Sequence, residues 1–291
     1  MKQFKGKVAA ITGAGSGIGR ALALNLARAG VDLALSDINA ENLLETARLA
    51  EAAGATVTTT TLDVADRDAV FAWAEDIVAN HGRVNLLFNN AGVAHAAAAE
   101  TASLDDFQWL MNINFWGVVH GTQAFLPHLR ASGEGHIVNL SSLFGLVGMP
   151  TQATYCAAKF AVRGYTETLR MELDMEGAPV SATCVHPGGV ATGINQSGRI
   201  DDSVTRLTGD SVESHKRMAE KMIQTTTPDR AAEIILNAVK RNARRVVVGP
   251  DARALDKIAR LLGSGYQSLI LRRYPRKDPA AAVSTESARG I

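Results

Sequence analysis

Short apolar runs alternate with longer helical patterns from residue 7 to residue 248, and this alternation constrains the fold more than any other feature. Apolar runs of strand length occur at 7–12, 31–36, 84–88, 136–140, 180–185 and 245–248, and a strand-length run rich in threonine and valine occurs at 56–62. Helical patterns lie between them, at 20–29, 39–53, 67–81, 105–129, 151–175 and 228–242. Strands that alternate with helices pair in parallel and place helices on both faces of the sheet. The sequence therefore predicts an α/β fold with a doubly wound parallel sheet of about seven strands.

One segment inside the predicted domain, residues 1–250, interrupts this alternation. Residues 193–227 are polar, contain Gly198 and Gly209, and show a single sustained helical pattern at 213–223. An insertion with flexible points beside a ligand pocket can close over the substrate and exclude water. We therefore expect residues 193–227 to form a mobile substrate lid, with a fixed cover as the alternative.

The chain continues beyond the last predicted strand. Residues 254–271 carry an apolar stripe, so we expect a helical extension over 251–274 that packs on its own domain or on a partner subunit. The basic cluster at 272–277 could touch an acidic membrane surface, but solvated charge is the commoner outcome for such clusters. Residues 275–291 are rich in alanine, serine and charge and are expected to be disordered.

Composition excludes several classes of protein. The 291 residues have a formal net charge of +1 at pH 7, so no global field attracts nucleic acid. The two cysteines, Cys156 and Cys184, form no disulfide framework and match no metal-ligand spacing. No apolar run is long enough to span a bilayer, and the first residues lack an apolar signal region. We therefore expect a cytoplasmic protein without a metal site.

A glycine-rich turn follows the first predicted strand and opens the first helix. Gly13, Gly17 and Gly19 allow the backbone to approach a pyrophosphate, and the helix N-terminus favours its negative charge. The spacing is G-x-x-x-G-x-G, but its position between a strand and a helix is the one that dinucleotide binding requires. The turn predicts a dinucleotide site at the edge of a Rossmann-type sheet; a tight structural turn is the alternative.

Asp37 lies at the end of the second predicted strand. A carboxylate there accepts hydrogen bonds from a ribose diol and repels a 2′-phosphate. Neither Ser36 nor Ile38 nor Ser16 carries a positive charge that would attract that phosphate. The sequence therefore favours NAD over NADP, although Asp37 could instead cap the next helix.

Tyr155 and Lys159 are four residues apart, so a helix places both side chains on one face. A cation beside a phenol favours the phenolate, and we expect Tyr155 to ionise more easily than a free tyrosine. Such a group is suited to general acid/base chemistry on an alcohol or carbonyl. Ser142 lies just after the 136–140 strand, which can bring its hydroxyl to the same edge.

These motifs together resemble the short-chain dehydrogenase/reductase family over roughly residues 5–250. The resemblance implies that Asn114, Ser142, Tyr155 and Lys159 are catalytic. The segments that match its cofactor-binding motifs are Thr12-Gly-Ala-Gly-Ser-Gly-Ile-Gly19, Asp63-Val64, Asn89-Asn-Ala-Gly92 and Pro187-Gly-Gly-Val-Ala-Thr192. By the same resemblance the residues that contact the cofactor are Gly13, Ser16, Gly17, Ile18, Gly19, Asp37, Asp63, Val64, Asn90, Tyr155, Lys159, Pro187, Val190 and Thr192.

The resemblance implies an NAD-dependent enzyme that interconverts a secondary alcohol and a ketone. Tyr155 would exchange the proton, Ser142 would orient the substrate oxygen, Lys159 would bind the nicotinamide ribose, and Asn114 would hold a water linked to Lys159. Apolar residues at 143–149 suggest a lipophilic substrate. Family members pair through two helices of each subunit, which implies a homodimer or homotetramer. An NADPH-dependent carbonyl or 3-oxoacyl reductase and a non-catalytic dinucleotide sensor or scaffold are the alternatives.

Two histidines near these motifs are assigned structural roles. His95 follows the 89–92 motif and could line the pocket, but a loop histidine is more often a polar surface residue. His186 precedes the 187–192 loop, where local packing is a simpler explanation than catalysis. For the substrate itself the sequence gives only size and polarity.

Overall fold

A computed structural model describes residues 1–195, 197–222, 224–272 and 274. Strands in this part of the chain are short and mostly buried. They are β1 Val8–Thr12, β2 Asp32–Asp37, β3 Val57–Thr61, β4 Leu86–Asn89, β5 His95–Ala96, β6 Gly135–Leu140, β7 Val180–Pro187, β8 Arg199–Ile200 and β9 Arg245–Val248.

Seven of these strands form one parallel sheet in the order β3-β2-β1-β4-β6-β7-β9. This confirms the predicted doubly wound α/β fold. The strand order reverses between β1 and β4, so the loops that follow these two strands diverge and leave a crevice at the carboxyl edge. Ligands of open α/β sheets bind in such a crevice.

Helices in the same part of the chain cover both faces of the sheet. They are α1 Gly17–Arg28, α2 Ala40–Ala52, α3 Arg67–His81, α4 Leu104–Met111, α5 Gly117–Ala131, α6 Ala153–Met175, α7 Ser203–Thr208, α8 Val212–Met222, α9 Pro228–Lys240, α10 Pro250–Leu262 and α11 Tyr266–Leu271.

Side chains of β1 alternate between two hydrophobic cores, because successive residues of a strand point to opposite faces. Ala9 and Ile11 join the core under α1, α2 and α9, whereas Val8 and Ala10 join the core under α3, α5 and α6. The second core contains an edge-to-face pair of Trp73 and Phe125, 5.2 Å between ring centroids. The strand that precedes the glycine turn is therefore fixed from both sides.

The single helix predicted over 105–129 is instead two helices, α4 and α5. They are joined by one turn of π-helix, Asn112–Trp116, in which the hydrogen bonds span one residue more than in an α-helix. Asn114, in this turn, is fully buried and hydrogen-bonds both backbone groups of Val93, each at 2.8 Å. The extra residue lets Asn114 face Val93, and π turns of this kind often occur at functional sites.

The insertion at 193–227 has more structure than the sequence indicates. Besides α8, it contains α7 and the short strand β8, which pairs in parallel with β5. The hydroxyl of Ser203 accepts a hydrogen bond from Ala98 N at 3.0 Å. The first half of the insertion is thus attached to the domain. Residue 223, in the predicted 213–223 helix, lies outside the described residues.

The extension after β9 contains α10 and α11. Ala252 of α10 is buried with Leu143 and Val147 in a third, small hydrophobic cluster. Residues 275–291, for which we predict disorder, lie outside the described residues. Within the described part of the chain, no helix has the length and apolarity needed to cross a membrane.

Candidate active site

The glycine turn lies in the crevice and is tightly packed against its surroundings. Gly17 has a φ of +51°, which L side chains rarely adopt, and a Cβ there would lie 2.8 Å from Thr192 Cγ2. A Cβ on Gly19 would overlap the carbonyl oxygen of Gly13. Ser16, the N-cap of α1, is exposed and makes no capping hydrogen bond, and Ile18 is half-buried. The first amides of α1 are therefore left without a side-chain cap, as an anion site at a helix N-terminus requires.

Asn90 supports this turn from the neighbouring strand end. Its Nδ2 donates to the carbonyl oxygens of Thr12 and Gly13, at 2.9 and 3.0 Å. Its own backbone N–H donates to the Thr12 hydroxyl at 3.0 Å. The loops after β1 and β4 are held together by these bonds.

Asp37 ends β2 beside the glycine turn. Its carboxylate accepts from Gly15 N at 2.8 Å and from Asn39 N at 2.9 Å. Arg20 lies nearby, and its guanidinium donates to the carbonyl of Asn42 at 3.1 Å and to the hydroxyl of Thr46 at 2.9 Å. The structure thus places Asp37 at the turn, and Arg20 is a nearby cation that the sequence analysis did not consider.

Asp63 and Val64 follow β3 at the same edge of the sheet. Asp63 is exposed, and its carboxylate accepts from Ala65 N at 2.9 Å. Val64 is buried, and its carbonyl oxygen lies 3.1 Å from His120 Nδ1. A Cβ on Gly117 would approach Val64 Cγ2 to 2.7 Å, so α5 lies against this loop.

The loop at 187–192 reaches the glycine turn from the other side. Pro187 is half-buried, and Val190 is buried and bridged in parallel to Thr226. Thr192 packs on Gly17. The glycine turn and the 187–192 loop, which are both predicted to contact the dinucleotide, therefore lie against each other.

Ser142, Tyr155, Lys159 and Asn114 come together at the carboxyl ends of β4 and β6. Ser142 lies close enough to Tyr155 for its hydroxyl to lower the pKa of the phenol. Lys159 Nζ donates to the carbonyl of Leu140 at 3.0 Å and lies 5.6 Å from the centroid of the Tyr155 ring. A Cβ on Gly92 would lie 3.1 Å from Asn114 Oδ1 and 3.5 Å from Lys159 Nζ. The amide of Asn114 and the ammonium group of Lys159 therefore lie near each other beside Gly92.

The expectation that Tyr155 ionises more easily than a free tyrosine is wrong for this structure. Burial raises the pKa of Tyr155 to about 12, against a smaller lowering by the hydrogen bond to Ser142. Burial also lowers the pKa of Lys159 to about 8, because an ammonium group loses hydration there. Burial disfavours the charged form of each group, so Tyr155 rests as the neutral phenol.

The two adjacent serines have different partners. Ser141 is buried, and its hydroxyl donates to the main-chain carbonyl of Lys159 at 2.7 Å. Ser142 is half-buried, and its hydroxyl accepts from Phe144 N at 3.1 Å. Ser141 therefore fastens β6 to α6, whereas Ser142 faces Tyr155.

His186 has a positioning role that the sequence does not reveal. Its Nδ1 lies 3.0 Å from the carbonyl oxygen of Ser142, and the ring is fully buried. Burial lowers the pKa of His186 to about 4, so the imidazole is neutral and donates from Nδ1. This bond connects the end of β7 to Ser142.

The expectation that His95 lies on the surface is wrong. Its side chain is 1% exposed, and Nδ1 lies 2.8 Å from the hydroxyl of Thr154, next to Tyr155 in α6. Nε2 lies 4.0 Å from the carboxylate of Asp106, which also pairs with Arg199 at 2.6 Å. His95 thus joins α4, α6 and the insertion; a loop position gives no sequence signal for such burial.

The apolar residues at 143–149 divide into two groups. Leu143 and Val147 are buried in a cluster with Ala252 of α10. Phe144 packs edge-on against Tyr155, with ring centroids 6.2 Å apart. No group of three or more His, Cys, Asp or Glu side chains in the described part of the chain could hold a metal ion.

Comparisons with known proteins agree with this geometry. The family described as short chain dehydrogenase matches residues 7–203. SadH of Mycobacterium tuberculosis is 48% identical over 270 residues, which are 93% of this chain and 96% of SadH.

Solved structures extend the likeness to three dimensions. A short-chain dehydrogenase/reductase from Burkholderia phymatum in complex with NAD is 31% identical, with a TM-score of 0.82, covering 96% of this chain and 99% of that one. Carveol dehydrogenase from Mycobacterium avium, also in complex with NAD, is 25% identical with a TM-score of 0.73, covering 86% of this chain and 99% of that one. This chain therefore belongs to the short-chain dehydrogenase/reductase family of oxidoreductases.

Proposed function

We propose that the protein is an NAD(H)-dependent oxidoreductase that interconverts a lipophilic secondary alcohol and a ketone. The observation that carries this proposal is the half-buried Tyr155 close to Ser142 and Lys159, with Asn114 and Lys159 both next to Gly92. A binding protein without chemistry has no use for a half-buried phenol close to a serine and a buried lysine beside its dinucleotide site.

The crevice fits a dinucleotide. The N-terminus of α1 has no side-chain cap, so its backbone N–H groups are available to bind a pyrophosphate. Gly17, which packs closely on Thr192, keeps side-chain atoms away from this position. Gly13, Ser16, Ile18 and Asn90 would surround this group, Asp37 would accept from the adenosine ribose, and Asp63 with Val64 would border the adenine. Pro187, Val190 and Thr192 would hold the nicotinamide end. Bound NAD(H) supplies the hydride acceptor or donor.

Tyr155 is the proposed proton donor and acceptor. Its neutral phenol is the form that gives a proton to a carbonyl oxygen as the oxygen gains charge. Ser142 donates to the same oxygen and stabilises the developing charge. The Lys159 ammonium group, one helical turn away, stabilises the phenolate that remains. In alcohol oxidation the same groups act in reverse.

Asn114 is the proposed link between Lys159 and solvent. One lone pair of Asn114 Oδ1 accepts from Val93 N, and an amide oxygen has a second. Asn114 Oδ1 and Lys159 Nζ both lie close to the position that a Cβ of Gly92 would occupy, and the missing side chain leaves room there for a bridging water. The proton taken up by Tyr155 can pass to bulk water along this path.

Substrate polarity is inferred from the wall beside Tyr155. Phe144 presents its ring edge there, and Met149 follows on the same loop. A relative named for carveol, a lipophilic alcohol, accords with this surface. An NADPH-dependent carbonyl or 3-oxoacyl reductase remains the second candidate, because Arg20 places a cation near Asp37.

The proposal is tested by following NADH absorbance with a panel of lipophilic secondary alcohols, hydroxyacyl compounds and short polar alcohols. We expect turnover with lipophilic secondary alcohols and with the matching ketones in reverse. Tight NADH binding without turnover on any alcohol or ketone would instead support a dinucleotide sensor or scaffold.

Within the insertion, we propose that α8 is the moving part of a lid and that residues 199–208 are fixed. The β5–β8 pair and Ser203 attach the fixed part, whereas α8 follows Gly209 and exposes most of its residues, Met218 among them. Hydrogen exchange with NADH and a ketone analogue should slow at 212–222 and stay unchanged at 199–208. Equal protection of α8 with and without ligands would make the whole insertion a static wall.

We further propose that the subunits pair through α5 and α6. Phe160, Met171 and Met175 on α6 are 42%, 57% and 86% exposed, and Gly164 between them has no neighbour within 4 Å of a Cβ. Such an apolar stripe is typical of an interface between helices. Light scattering at micromolar concentration should show a dimer or tetramer. Met171→Glu should shift the oligomeric state towards monomer, and the control Leu44→Glu on the exposed face of α2 should not.

A further inference from the structure

The helical segment after β9 contacts both loops that border Tyr155. These are the cofactor-side loop (residues 187–192) and the substrate-side loop (residues 143–149). We propose that residues 250–271 act as a clamp that positions both loops, with Asp251 holding the first and Tyr266 holding the second. The inference rests on the proposed function, since the loops matter for catalysis only if Tyr155 is the reacting group.

Asp251 binds the cofactor-side loop directly. Its Oδ2 accepts from the backbone N–H of Gly189 at 2.7 Å. Asp251 lies in the first turn of α10, where the helix dipole favours a negative charge. Cβ atoms on Gly188 or Gly249 would overlap the carboxylate, and Gly249 has a φ of +101°. Glycines at both positions therefore permit this close approach.

Gly189 is held from its other side as well. Its carbonyl oxygen accepts from Thr226 N at 3.0 Å and from the hydroxyl of Thr225. These threonines end the insertion, so α10 and the insertion meet at one residue. Val190 follows it, and Thr192 packs on Gly17 of the glycine turn. A shift of Gly189 would move them relative to the dinucleotide.

The carboxylate of Asp251 is not fully satisfied by this arrangement. Its Oδ1 is buried and has no hydrogen-bond partner among the described residues. A buried oxygen without a partner costs free energy. Stability alone therefore does not account for Asp251, whereas positioning of Gly189 does.

Tyr266 binds the substrate-side loop. Its hydroxyl accepts from Gly148 N at 2.8 Å, and its ring packs on the cluster of Leu143, Val147 and Ala252. This loop starts at Ser142 and carries Phe144, the edge-on neighbour of Tyr155. Tyr266 thus fixes the far end of a loop whose near end is the proposed catalytic serine.

Hydrogen exchange of the ligand-free protein tests the clamp without any substrate. Asp251→Ala should speed exchange at 187–192 by about tenfold, because Gly189 N loses a charge-assisted bond. Asp251→Asn keeps an acceptor oxygen and should restore most of the protection. Tyr266→Phe should speed exchange at 143–149 and leave 187–192 unchanged.

Ligand affinities give a second readout that general destabilisation would not produce. Asp251→Ala should weaken NADH about tenfold, whereas Tyr266→Phe should raise the KM for the alcohol about fivefold and leave NADH affinity unchanged. Asp256→Asn is the control, because Asp256 of α10 pairs with Arg245 and Arg260 and touches neither loop.

The clamp would be overturned if hydrogen exchange at both loops were as slow in Asp251→Ala and Tyr266→Phe as in the unaltered protein. Equal effects of both variants on both loops would also overturn it, since a loosened fold would give that pattern. If the unaltered protein binds NADH but turns over no alcohol or ketone, the proposed function fails, and the exchange measurements still decide the clamp.

Discussion

Tyr155→Phe is expected to lower turnover by about a hundredfold or more, while NADH affinity stays within about twofold. The substitution removes only the hydroxyl, so the ring keeps its edge contact with Phe144, and Lys159 keeps its bond to Leu140 O. The hydroxyl of the neighbouring Thr154 is already hydrogen-bonded to His95 Nδ1, so the proton would have to come from water. Steady-state kinetics with a competent alcohol and NADH fluorescence titration measure the two quantities.

The neighbouring serines provide the matched comparison. Ser142→Ala should also lose turnover, because the substrate oxygen loses a donor. Ser141→Ala should keep most turnover and instead lose about 1 kcal/mol of unfolding free energy with its buried bond to Lys159 O. Near-normal turnover of Tyr155→Phe would rule out the proposed mechanism.

Local patterns predicted the sheet because each strand is short, apolar and bounded by glycine or a polar turn. Strand β9 has the predicted bounds, β1 starts one residue later than predicted, and β2 is shifted by one residue at both ends. The third strand was predicted from threonine and valine alone and lies at the sheet edge, where a polar face is tolerated. Local sequence patterns therefore suffice to predict a strand or helix that buries one regular face against the core.

The break in the helix predicted over 105–129 could not be predicted in the same way. Asn112–Trp116 contains neither proline nor glycine, and its pattern continues the helix. The π turn accompanies the two bonds of Asn114 to Val93, a residue 21 positions earlier in the chain. Such a bond depends on the packing of two separate segments, which no local pattern encodes.

Electrostatics of the candidate site also depended on tertiary structure. The four-residue spacing correctly places Tyr155 and Lys159 on one face of α6, but burial determines the direction in which the pKa of Tyr155 moves. The contacts of α10 with Gly189 and of Tyr266 with Gly148 join residues 62 and 118 positions apart. Motif spacing identifies the reacting groups, whereas their solvation and support arise from distant parts of the chain.

The choice between NAD and NADP depends both on the local sequence at Asp37 and on the tertiary contacts around it. The carboxylate of Asp37 is fixed by Gly15 N and Asn39 N at the edge of the glycine turn. Arg20, the nearby cation, already donates to Asn42 O and to the Thr46 hydroxyl. A 2′-phosphate placed here would therefore meet a fixed negative charge and a guanidinium group with other partners.

We expect the unaltered protein to bind NADH about a hundredfold more tightly than NADPH, a difference of about 2.7 kcal/mol. Asp37→Ala combined with Ile38→Arg should reverse the preference, because the carboxylate is lost and a cation is gained. Ile38 is 70% exposed, so arginine fits there without disturbing the core. Asp37→Asn separates the two effects of Asp37: it keeps an acceptor for Gly15 N but removes the charge, and should weaken the discrimination without reversing it. Fluorescence titration with both reduced cofactors measures each constant. If the unaltered protein binds NADPH tenfold or more tightly than NADH, about 1.4 kcal/mol, Arg20 rather than Asp37 controls this end of the site.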